Sequence, residues 1–250
     1  QQFLSELNLL SVLGISLYKI RADKTDILRT GWIMEMAGDR GIKIGVDMCQ
    51  NLADPPQQVS DVVAYVDAVH ARTDHKMAFI EEAIGPDSPE GFRQLRKLID
   101  VPVCGGEVIT TPNEMINRLA DDVYDFVQPD ASVMGGISAV MDVFKAGQSR
   151  GTEVVVHAWG GAAAIMANYH AAFAAGGHLV EYPMFSFPLG REMMADQANI
   201  VDGSLLRATA PGLGLTLTPA IEDKYPFDPG AVYSCNQLTI DSPPDDYWHL

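Results

Sequence analysis

The chain has 250 residues, 47% of them hydrophobic and 20% charged. That balance suits one large globular α/β domain, or two small ones, with a sizeable core. A formal net charge of −16 argues against nucleic acid as a partner, because phosphate binding needs basic surface. No apolar run reaches the length of a membrane span, and no signal-peptide pattern stands at the start. Three cysteines, Cys49, Cys104 and Cys235, are odd in number and widely spaced. They suit a reducing cytoplasm and form no Cys-x-x-Cys zinc pattern.

The chain opens in a helical stretch, QQFLSELNLLSVLG, with no leading methionine, and is expected to be a fragment of a longer protein. Short apolar runs then recur: SLYKIRA (16–22), IKIGVDM (42–48), MAFIEEA (77–83), VPVCGGE (101–107), DFVQPD (125–130), TEVVVHA (152–158) and LVEYP (179–183). Between them lie helical stretches. VSDVVAYVDAVHA (59–71) has apolar residues at three- and four-residue spacing. SPEGFRQLRKLI (88–99) starts with a serine cap and Pro-Glu in its first turn, TPNEMINRLA (111–120) opens the same way, and ISAVMDVFKAGQSRG (137–151) ends on a glycine stop.

Strand followed by helix, seven times over, means parallel strands with crossover helices. No strand is followed by the glycine-rich phosphate loop of an open dinucleotide-binding sheet. The repeat therefore points to a (β/α)₈-type barrel, with one strand expected before residue 1. The barrel is placed at 1–190. The beat stops after residue 184, and 191–250 reads as an extension, rich in Gly and Pro (PGLGLTLTP) and ending in the acidic stretch DSPPDDYWHL.

Barrel active sites sit at the carboxyl-terminal ends of the strands. Each predicted strand ends with an ionisable group: Lys19 and Arg21, Asp47, Glu81 and Glu82, Glu107, Asp130, His157, and Glu181. From Asp47 to Glu181 successive groups are about one βα unit apart. Asp47, Glu81 and Glu107 would bring three carboxylates together, which repel unless a cation joins them. An oxygen-only set favours magnesium; the alternative is three solvated strand ends. Lys19 and Arg21 share one side of a strand, beside that metal or on exposed surface. Asp130, one strand before His157, would fix the imidazole tautomer and raise its pKa; a core histidine is the alternative. Glu181 is either a salt-bridge partner or a protonated donor facing a developing oxyanion. The remaining histidines read as structural or exposed.

Taken together, YKIR, GVDMCQ, FIEEA, GGE, QPDASVMGGIS, VVVHA and LVEYP, in that order and spacing, resemble the barrel domain of the enolase superfamily, mandelate racemase-like subgroup. The resemblance runs from about residue 12 to residue 215. It implies Mg²⁺ held by Asp47, Glu81 and Glu107, and a His157–Asp130 dyad. It implies Glu181 as the electrophilic acid, and Lys19 on the substrate carboxylate. Arg21 falls where the family has its second lysine base. A guanidinium stays protonated, so it is a poor base and a better electrostatic clamp. One competent base favours dehydration over racemisation. SVMGG carries no lysine, which weakens the cycloisomerase and dipeptide-epimerase readings. The family's amino-terminal α+β capping domain is expected to lie outside this chain.

The resemblance therefore implies a cytoplasmic, homo-oligomeric hydro-lyase. It would take a sugar acid, remove the proton alpha to its carboxylate, and eliminate water to a 2-keto-3-deoxy acid. A racemase or epimerase of 2-hydroxy acids, with Arg21 as second base, and a non-catalytic metal-binding barrel are the alternatives.

Overall fold

The computed structural model describes residues 2–49, 55–184, 188–195 and 197–230; Cys235 and the acidic end of the extension lie outside them. Six of the seven predicted strands form: β1 (Leu17–Arg21), β2 (Lys43–Asp47), β3 (Phe79–Glu81), β4 (Val103–Gly105), β5 (Phe126–Val127) and β6 (Glu153–Val154). Every neighbouring pair is parallel, and the spatial order is the chain order. An open doubly wound sheet has a point where that order reverses; this sheet has none. With right-handed crossovers, the connecting helices then fall on one face, as in a barrel.

The seventh predicted strand is reduced to one bridge, Val180 to Val156. Pro183 has no amide to donate. The groups of Glu181 are taken elsewhere: its carboxylate by the Ala158 amide and its carbonyl by the Tyr169 hydroxyl.

The helices are α1 (Gln2–Val12), α2 (Ile27–Gly38), α3 (Val59–His70), α4 (Pro89–Leu98), α5 (Pro112–Ala120), the single-turn α6 (Ala131–Met134), α7 (Ile137–Arg150) and α8 (Ala162–Ala175). In α3 the buried residues Val62, Tyr65, Val66 and Val69 fall at three- and four-residue spacing, one apolar face toward the sheet. Thr111 caps α5 by accepting from the Glu114 amide, and Gly151 ends α7 in the left-handed region. Ser88 precedes α4 as expected, but its hydroxyl makes no capping bond. The core lies between sheet and helices. Val46, Ile80, Val103, Val127 and Val156 are fully buried, each worth about 1.5–3 kcal/mol relative to exposure.

Beyond the bridge come α9 (Pro188–Met194), a hairpin of β7 (Ile200–Val201) and β8 (Ser204–Leu205), and α10 (Pro219–Lys224). Asp202 and Gly203 both have positive φ, the requirement of a two-residue hairpin turn. Met194, Ala198, Leu205, Ala208, Leu213 and Leu215 pack against a cluster centred on α8. No helix of the described residues is long and apolar enough to cross a membrane.

Candidate active site

The parallel register puts Arg21, Asp47 and Glu81 side by side at the carboxyl ends of β1, β2 and β3. Glu107 follows β4, Asp130 caps α6 after β5, His157 follows β6, and Glu181 follows the bridge at Val180. All of these except Asp130 line one cavity of about 680 Å³, and Asp130 reaches it through His157.

The cavity floor is set by a glycine. Gly45 pairs with Phe79, and a Cβ at Gly45 would fall 2.2 Å from the Phe79 ring. The ring can therefore lie across the strand, where it meets Phe126 edge-on at 5.5 Å.

Lys19 and Arg21 both face this cavity, not the outer surface. The Lys19 ammonium bridges Glu81 at 2.5 Å and Glu181 at 2.7 Å. Burial alone would lower the lysine pKa, but Glu81, Glu181 and Asp47 outweigh it and hold the group charged. For Glu81, burial pushes the pKa up; the Lys19 charge opposes this, while Asp47 and Glu181 add to it. Gln128 satisfies the other Glu81 oxygen at 2.6 Å. Arg21 reaches Asp47 at 3.5 Å.

His157 Nδ1 lies 2.7 Å from Asp130 Oδ2, and its Nε2 faces Glu107 at 3.3 Å and Glu181 at 3.9 Å. Burial opposes the imidazolium, yet Asp130, Glu181 and Glu107 carry its pKa up to about 9. Asp130 is itself held low: burial works against that, but bonds from His157, Asn168 and Ser132 win. Glu181 is paired with Lys19. Burial would raise its pKa, but Lys19, His157 and the Ala158 amide bring it below the ordinary value.

Asp47, Glu81 and Glu107 supply oxygen donors to one partly desolvated cavity, the chemistry that suits a hard divalent cation. Each now faces a protein cation, and among the described residues no three His, Cys, Asp or Glu side chains form a ready metal cluster. The ligand types fit magnesium, which would compete with Lys19 for Glu81.

Two supporting residues escaped the sequence reading, and a third was named without a role. Gln128 stands two residues before Asp130, so strand alternation places it with the inward set. Asn168 is fully buried in α8, bonded to Asp130 and to the Ala131 amide; a lone amide in AAAIMANYHAAFAA was its signal, since a buried polar group needs partners. Glu82 was noted at its strand end without a role. It turns away from the cavity at φ 43 and accepts from the Gly106 amide at 2.5 Å. Burial raises its pKa to about 8.

Residues 8–221 match the family model described as Enolase C-terminal domain-like. The chain is 26% identical over 203 residues to the arabinonate dehydratase of Saccharolobus solfataricus, covering 80% of this chain and 51% of that protein. It is 29% identical over 142 residues to the L-talarate/galactarate dehydratase of Salmonella typhimurium, covering 57% and 34%. The chain thus spans about half or less of the length of these curated relatives. Among solved structures, the L-talarate dehydratase of a Polaromonas species, complexed with Mg and L-glucarate, aligns with a TM-score of 0.71 at 23% identity, covering 89% of this chain and 58% of that one. The 3,6-anhydro-D-galactonate cycloisomerase of Zobellia galactanivorans aligns with a TM-score of 0.74 at 20% identity, covering 89% and 62%. At these identities the structural likeness shows the fold.

Proposed function

Because the chain belongs to the Enolase C-terminal domain-like family, we propose that it carries the catalytic barrel of a magnesium-dependent sugar-acid dehydratase. The observation that supports this most is the imidazole of His157. One nitrogen is held by Asp130 and the other faces the cavity that Lys19 and Glu181 line.

Lys19 and Arg21 attract the substrate carboxylate to the strand ends. His157 takes the proton alpha to that carboxylate through Nε2, and electrons flow onto the carboxylate oxygens. Lys19 and Arg21 are fixed charges beside the developing enediolate, the kind of preorganised field that lowers such barriers most. The incoming carboxylate adds negative charge beside Glu181 and drives it toward the protonated donor that the family resemblance implies. Magnesium held by Asp47, Glu81 and Glu107 would supply positive charge to the substrate carboxylate and offset the anions that raise His157. Asp130 stabilises the imidazolium formed, which then protonates the departing β-hydroxyl. Water leaves, and the enol tautomerises to a 2-keto-3-deoxy acid. Arg21 is a guanidinium turned toward Asp47, a poor second base for racemisation.

The experiment is a screen of acid sugars for keto-acid formation, with and without magnesium, on wild-type protein and His157→Asn. The expected result is metal-dependent product from the wild type, none from the variant, and magnesium binding retained in both. Full activity in His157→Asn overturns the assignment.

A further inference from the structure

Trp159, Tyr182, Met194 and Arg191 also line the cavity wall, the last two on α9. The Tyr182 ring stacks on Tyr169, centroids 6.4 Å apart and planes within 8°. The Tyr169 hydroxyl in turn bonds the Glu181 carbonyl. This wall is therefore braced against the strand end that carries Glu181. Arg191 is half-buried in it, close enough to Tyr182 for its charge to act on the phenol.

The lysine and the two arginines of the cavity differ in what they face. Lys19 is paired with Glu81 and Glu181, and Arg21 with Asp47. Arg191 accepts the Ala195 amide through its carbonyl, but its guanidinium makes no hydrogen bond or ion pair with any of the described residues. A guanidinium keeps its charge at any ordinary pH, and holding it in a partly dry wall without an anion among the described residues is costly. Such a group suits bidentate recognition of a carboxylate. The volume lies within the range that encloses a small ligand.

We propose that Arg191 receives a second carboxylate, so that the substrate is a sugar diacid, an aldaric acid anchored by Lys19 at one end and Arg191 at the other. This rests on the sugar-acid reading above and names its substrate class. No step of the chemistry changes; Arg191 acts only in binding and specificity.

The test is calorimetric titration of the protein, with magnesium present, using an aldaric acid and the aldonic acid of equal carbon number and configuration. Wild-type protein is expected to bind the diacid about 10- to 100-fold more tightly, the value of a charge-assisted contact. Arg191→Met is expected to erase that preference. Arg191→Lys is expected to restore part of it, since lysine keeps the charge but not the planar fork. Equal affinities in wild type, a preference that survives in Arg191→Met, or binding of neither acid overturns the proposal. Keto-acid formation is scored separately: a diacid preference without turnover sinks the dehydratase reading and leaves this one standing.

Discussion

Replacing Asn168 by alanine separates the support of the dyad from the dyad itself. Asn168 is fully buried, and its side chain makes three bonds: from the Ala131 amide at 2.8 Å, to Asp130 at 2.9 Å and to the Ala164 carbonyl at 3.1 Å. The variant leaves the Ala131 amide buried without an acceptor, which costs about 1–3 kcal/mol. The lost bond to the Asp130 carboxylate is charge-assisted and adds about 1.5–3 kcal/mol. A combined loss of about 3–5 kcal/mol is a large part of the stability of a typical domain, about 5–15 kcal/mol.

The functional consequence follows from the same bonds. Asp130 would keep Ser132 and His157 but lose a donor that holds its carboxyl low and its orientation fixed. Urea unfolding followed by tryptophan fluorescence should show the midpoint falling by about 1 M or more at unchanged slope. Keto-acid formation should fall about tenfold or more, as for other groups that orient a reacting side chain. A stability loss under about 1 kcal/mol with activity unchanged refutes the reasoning.

Gly45→Ala should destabilise the barrel floor by about 1–3 kcal/mol, because the new methyl carbon would meet Phe79 ring atoms at 2.2–2.6 Å. A thermal scan that finds no loss of melting temperature contradicts that packing. His70 Nε2 accepts the Met77 amide, and burial, then Lys76, lowers its pKa below the ordinary value of 6.5. Below about pH 6.5 the unfolded chain therefore binds more protons than the folded one, and stability should rise with pH. The contribution is complete above the unfolded value and lost as pH falls through the folded one. Unfolding free energies at about pH 5.5 and about pH 7.5 should differ less in His70→Gln than in wild type; an equal difference in both removes His70 as the cause.

The beat of apolar runs and helical stretches was enough to place six parallel strands, because strand burial and helix amphipathicity are local patterns that repeat at one period. The strand-end ionisable groups were legible for the same reason: the side-chain alternation of a strand is set by its backbone geometry. Three things required the tertiary structure. The seventh strand shrank to a bridge at Val180 because the polar groups of Glu181 found partners in Ala158 and Tyr169. The helix α8 carries little periodic signal, since its exposed residues Ala163, Phe173 and Ala174 are apolar too, so Asn168 could not be assigned to the dyad from spacing. The state of Glu181 also depends on distance: 2.7 Å to Lys19 makes it an ion-pair partner, and no linear pattern encodes that separation. Sequence periodicity orders residues along and around each element, whereas pKa values and pairing arise from contacts between elements far apart in the chain.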